Sequence, residues 1–84
     1  MRVVFADRGW EDLCYWIAHD KKIVKRIVRL INEIEREPFK GIGKPEPLKH
    51  DLSGFWSRRI TDEHRLVYAI EENEILIAQA RYHY

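Results

Sequence analysis

Residues 38–47, Pro-Phe-Lys-Gly-Ile-Gly-Lys-Pro-Glu-Pro, divide this chain into two halves of different periodicity. Three prolines and two glycines within ten residues cannot be helix. Proline has no N–H to donate and its ring clashes with the preceding turn, while glycine loses the most entropy on ordering. The stretch is also too short to link two domains, so residues 1–84 are expected to form a single domain.

Before the breaker the pattern is one short strand and two helices. Arg2–Ala6 is rich in β-branched and aromatic residues and reads as a strand. Asp7 is placed as an N-cap, with Glu11 and Asp12 soon after it. Trp10, Leu13, Cys14 and Ile17 recur at helical spacing and predict a buried stripe. Asp20 is a second N-cap, and Ile23, Ile27, Leu30, Ile31 and Ile34 make the next stripe, which Pro38 terminates. Two helices joined this directly form a hairpin.

After the breaker the pattern changes to strands: Leu48–Leu52, Phe55–Thr61, Arg65–Glu71 and Glu74–Tyr82. Ser53-Gly54, Asp62-Glu63 and Glu72-Asn73 are the turns, and turns this short join antiparallel neighbours. The expected fold is α+β with element order βααββββ, an antiparallel-rich sheet covered on one face by a helical hairpin. Alternation puts Phe55, Ser57 and Arg59 on one face of their strand and Trp56, Arg58 and Ile60 on the other.

Composition narrows the function. Apolar residues at 45% and charged residues at 35% fit a folded soluble domain and exclude a disordered chain. No apolar run approaches a membrane span, and charges at Arg2 and Asp7 leave no room for a signal-like segment, so a cytoplasmic protein with no membrane partner is expected. A single cysteine, Cys14, excludes an internal disulfide and a multi-cysteine zinc site. Its place on the apolar stripe makes it core rather than nucleophile. The net charge of +1 hides five cations, Lys21, Lys22, Lys25, Arg26 and Arg29, in one acid-free stretch. Such a face either solvates the helix or meets a polyanion.

Three residues of the second half combine into a chemistry. Glu46 lies between Pro45 and Pro47, which restrict its backbone. His83 stands one residue from the chain end among aromatics, and Arg65 opens a strand. A carboxylate, an imidazole and a guanidinium suffice for RNA cleavage without a metal or cofactor. One removes the ribose 2′-OH proton, one protonates the departing 5′-oxygen, and the cation stabilises the charge on phosphorus. Each also has a bland reading: Glu46 as a solvated loop acid, Arg65 as a cross-strand ion pair with Glu63 or Glu71, His83 as a frayed end.

Four blocks in order, Gly43–His50, Leu52–Thr61, Glu63–Ala69 and Ala80–Tyr84, resemble the YoeB (Txe) toxin family of the wider RelE-like group. The resemblance is dense from residue 37 onward and looser through the helices. It implies a RelE-like fold and a type II toxin: a ribosome-dependent endonuclease that cuts mRNA in the A site. Under that resemblance Glu46 is the general base, His83 the general acid and Arg65 the phosphate-stabilising cation. Tyr84 positions substrate and acid, and Lys44, Lys49 and Arg59 belong to the RNA-binding surface. The implied partners are the ribosome, mRNA and a cognate YefM-like antitoxin, with a homodimer as a further form. An acid-bearing antitoxin segment would find cations at Arg58, Arg59 and Arg65 and aromatics at Trp56 and Tyr82. Two alternatives stay open on the sequence: a non-catalytic module that blocks the ribosome by occupancy, and an inactive antitoxin-binding protein.

Overall fold

The computed structural model describes every residue from Met1 to Tyr84. Its helical half is α1 (Asp7–His19) and α2 (Lys21–Arg36), hinged at a single residue, Asp20. The Asp20 Oδ1 accepts the N–H groups of Lys22 at 3.0 Å and Ile23 at 3.4 Å, which satisfies two donors that open α2. The Asp20 N–H donates to the Trp16 carbonyl at 2.8 Å and so closes α1 with the same residue.

The strands are β1 (Arg2–Phe5), β2 (Glu46–Pro47), β3 (Trp56–Arg59), β4 (Arg65–Glu71) and β5 (Glu74–Gln79), and the sheet order is β1-β5-β4-β3-β2. β1 runs parallel to β5 and every other pair is antiparallel. The element order βααββββ and the α+β class are those read from the sequence. The hairpin leads from β1 at one edge of the sheet to β2 at the other and covers one face. There Ile27, Leu30, Ile31 and Ile34 of α2 pack with Leu66, Tyr68, Ile75 and Ile77 of the sheet. The folded chain exposes 5513 Å², close to the roughly 5,300 Å² expected of a well-packed monomer of this mass. No helix is long and apolar enough to cross a membrane.

Four expectations are corrected. The α1 N-cap is Ala6, and Asp7 is the first helical residue, where its charge still faces the positive helix end. The buried face of α1 is Gly9, Asp12 and Trp16; Trp10, Cys14 and Ile17 are exposed. The reason is close approach. A Cβ at Gly9 would collide with the Ile77 carbonyl oxygen, so glycine lets α1 lie directly on β5, with Asp12 and Trp16 on that side. Leu48–Leu52 is not a strand: His50 has φ 57° and a 3-10 turn spans His50–Leu52. The short strand lies upstream at Glu46–Pro47, where a proline is tolerated because β2 is the sheet edge. Finally, β5 stops at Gln79 rather than Tyr82. The Ala80 N–H donates to the Asp12 carboxylate at 2.9 Å, and the Ala80 carbonyl accepts the Trp16 indole N–H at 2.9 Å. Both backbone groups a longer strand would need are taken by α1.

Candidate functional site

Register across the sheet assembles the site. Glu46 of β2 pairs with Ser57 of β3, Ser57 with Val67 of β4, and Val67 with Gln79 of β5. Residues directly opposite one another share a face, so one row crosses four strands on the side away from the helices. Two residues along, Arg59 stands opposite Arg65 on the same face. The Arg65 Nη1 donates to the carbonyls of Thr61, Asp62 and His64 at 2.8, 3.1 and 3.1 Å. Its Nε and Nη2 make no hydrogen bond within the protein, and it forms no ion pair with Glu63 or Glu71. Two cations held side by side on one face, one of them stiffened by its own turn, are suited to a phosphate.

Glu46 is exposed but its backbone is held. The Arg59 N–H donates to the Gly43 carbonyl at 2.7 Å. Gly43 itself has φ 83°, and a Cβ there would sit 2.9 Å from the Leu30 Cδ2. Upstream, Arg58 anchors the breaker segment from inside the protein. It is fully buried and donates to the Glu37, Lys40 and Ile42 carbonyls at 2.6, 2.7 and 3.1 Å. Its Nε donates to the Tyr68 hydroxyl at 3.2 Å, and that hydroxyl donates to the Pro38 carbonyl at 2.7 Å. A buried guanidinium is tolerated because these acceptors replace its water. Burial pushes the Tyr68 phenol above its ordinary 10.0, against the opposing pull of the Arg58 hydrogen bond and charge. Arg58 is therefore a strut and not a surface cation, which corrects its expected place among antitoxin contacts.

The chain end is folded back rather than extended. Tyr82 has φ 63°, in the left-handed region that non-glycine residues seldom adopt. It is held on both sides: its N–H donates to the His64 Nδ1 at 2.8 Å, and its carbonyl accepts from the Arg65 N–H at 3.1 Å. The Arg81 guanidinium stacks 3.4 Å from the Tyr15 ring centroid and is not aligned with His83 on a strand. The Gln79 Nε2 donates to the carbonyls of Arg81 at 3.3 Å and His83 at 3.2 Å. Thus the last residue of the cross-sheet row tethers the tail that carries His83.

Glu46, Lys49 and Tyr84 meet in one open cleft of about 390 Å³, with His50 and Leu52 in its wall. Lys44 is exposed just before it, with φ 50°. No hydrogen bond or ion pair joins Glu46 to Arg65, His83 or Tyr84 in the free chain. A second concavity, about 490 Å³, lies along the outer side of α2 between Val24, Lys25, Val28 and Arg29 and contains none of the expected site residues. The positioning residues Asp12, Trp16 and Gln79 were not read from the sequence as part of the site. Gly9, Asp12 and Trp16 do recur at helical spacing, but an acid and a glycine on an inner face do not look like core.

Residues 5–84 match the family described as YoeB-like toxin of bacterial type II toxin-antitoxin system. Toxin YoeB of Streptomyces coelicolor is 61% identical over 84 residues, the whole of both chains. The YoeB/ParE toxin from Agrobacterium tumefaciens superposes with a TM-score of 0.98 at 44% identity, over 100% of each chain. A chain of the YoeB-YefM complex from Staphylococcus aureus does so with a TM-score of 0.93 at 46% identity, covering 100% of this chain and 98% of that one. With sequence and backbone matched from end to end, this chain belongs to the YoeB family, the toxins of bacterial type II toxin–antitoxin systems.

Proposed function

We propose that this toxin is an endoribonuclease that cuts messenger RNA in the ribosomal A site. The observation that carries the reading is the cross-sheet row. It puts Glu46 on the same helix-free face as Arg59 and Arg65, and its last member, Gln79, holds the His83 backbone. Glu46 takes the proton of the ribose 2′-OH, and the 2′-oxygen attacks the adjacent phosphorus. Arg65, with Arg59 beside it, stabilises the added negative charge. The bond from phosphorus to the 5′-oxygen breaks as His83 gives that oxygen a proton, leaving a 2′,3′-cyclic phosphate and a 5′-hydroxyl. Lys49 and Lys44 bind the flanking backbone, and Tyr84, in the Glu46 cleft, places the nucleotide. The acid and base do not touch in the free chain. That supports a substrate presented in a fixed shape, as a codon held on the ribosome is.

The proposed neutraliser is a YefM-like antitoxin, by analogy with the Staphylococcus aureus complex. An acidic segment across Arg59 and Arg65 would cover the same face that RNA needs. The test is primer extension on a defined mRNA, with and without purified ribosomes, for the wild type and His83→Gln. The reading requires new 3′ ends only with ribosomes and a large loss in His83→Gln. Arrested translation with intact mRNA for both proteins would instead identify a module that acts by occupancy.

A further inference from the structure

The left-handed turn at Tyr82 is held by a histidine that the proposed chemistry leaves unused. His64 sits at the end of a rigid turn, where the Thr61 Oγ1 accepts the N–H groups of Glu63 and His64, both at 3.2 Å. The His64 carbonyl in turn accepts the N–H of Ile60 at 3.0 Å. Its ring lies edge-on to Trp16, centroids 4.8 Å apart, and 5.5 Å from the Tyr82 ring. From this fixed place its Nδ1 accepts the Tyr82 N–H, while the next residue, Arg65, donates its own N–H to the Tyr82 carbonyl.

We propose that His64 is a positioning residue for cleavage: its Nδ1 latches Tyr82 and thereby aims the following two residues, His83 and Tyr84. The proposal rests on the catalytic reading given above. Without an acceptor at Nδ1, the Tyr82 N–H loses its partner and the positive φ loses one of its two restraints. The tail would then swing about Ala80, which α1 continues to hold through Asp12 and Trp16.

The latch requires one form of the ring. An imidazolium carries hydrogen on both nitrogens and cannot accept, so only the neutral ring with its proton on Nε2 fits. The charged groups about it are Asp62 and Glu63 in its own turn, Arg65 on β4 and Arg81 in the tail. Arg81 lies over the Tyr82 and Trp16 rings at 4.7 and 5.9 Å. α1 meets the imidazole through Trp16, while the Asp12 and Tyr15 side chains of that helix are turned to Ala80 and Arg81.

Three variants separate the latch from simple packing. His64→Asn can place an acceptor oxygen where Nδ1 stands, His64→Gln places one near Nε2 instead, and His64→Phe keeps a ring without an acceptor. Single-turnover cleavage on saturating ribosomes is expected to fall about 10²-fold in His64→Phe, the cost of misplacing a reacting group by about an ångström. His64→Gln should fall with it, and His64→Asn should recover most of the rate. In the free protein, Tyr82 amide exchange should be slow in the wild type and His64→Asn and fast in the other two. Nitrogen-15 spectra should show Nδ1 of His64 unprotonated. A wild-type rate and a protected Tyr82 amide in His64→Phe would overturn the proposal, as would an Nδ1–H tautomer. If the wild type does not cut RNA at all, the catalytic reading fails, and the exchange data still decide whether His64 holds the tail.

Discussion

Glu46 stands directly opposite Ser57 in the antiparallel pairing of β2 with β3. The proposed base is thus placed by sheet register, although it lies between two prolines in the segment that looked least ordered in the sequence. Both prolines fit there because β2 forms the edge of the sheet, where a missing N–H breaks no ladder. The same prolines discourage a further strand from adding at that edge.

Arg58 should be the residue whose loss most disturbs that placement from within. Arg58→Met removes the donor to three backbone carbonyls and the Tyr68 hydroxyl. Each buried acceptor left unpaired costs about 1–3 kcal/mol. A total destabilisation of several kcal/mol should lower the midpoint of thermal unfolding by more than about 10 °C in a domain of this size. Circular dichroism melts check it, and an unchanged midpoint would mean that Arg58 does not hold the 37–43 segment.

Tyr68 predicts a stability limit on the alkaline side. Its phenol donates to the Pro38 carbonyl and is raised above 10.0 by burial. A pKa raised on folding means that the protonated form is the one the fold favours. The stabilisation is fully present below the unfolded phenol value and is lost as pH rises through the folded value. Denaturant midpoints should therefore fall above about pH 10, and Tyr68→Phe should show a smaller fall across the same range.

The chain end gives a third expectation. Tyr84 lines the Glu46 cleft and is 49% exposed, so it carries little of the core. Deleting it should lower the single-turnover cleavage rate while leaving the melting temperature nearly unchanged. Equal rates for the 84-residue chain and the chain lacking Tyr84 would make it a passive terminus.

The legible parts of this fold are those governed by local rules. The Asp20 cap, the α2 stripe, the three turns and the β4 boundaries follow from propensity and period alone. What escaped has a common cause in contacts between residues far apart in the chain. Cys14 looked buried because its spacing is helical and apolar. The face of α1 that is buried was decided by Gly9 fitting beneath Ile77 and by Asp12 and Trp16 binding Ala80. Alternation assigned Arg58 and Arg59 to opposite faces correctly, yet only the fold reveals that the face holding Arg58 is closed by the breaker segment. For the site, Glu46, Arg65 and His83 stood out by residue type, and the resemblance supplied Tyr84 and the lysines. Gln79 and His64 acquire their places only once the tail folds back across β4 and β5.

Cleavage by an internal 2′-hydroxyl makes cutting depend on one oxygen atom of the substrate. Ribosomes programmed with mRNA carrying a single 2′-deoxynucleotide at the cleavage position should be bound by the toxin as before but not cut there. The all-ribose message should yield a 2′,3′-cyclic phosphate or its 3′-phosphate product. Unimpaired cutting at the deoxy position would contradict the roles given to Glu46 and His83.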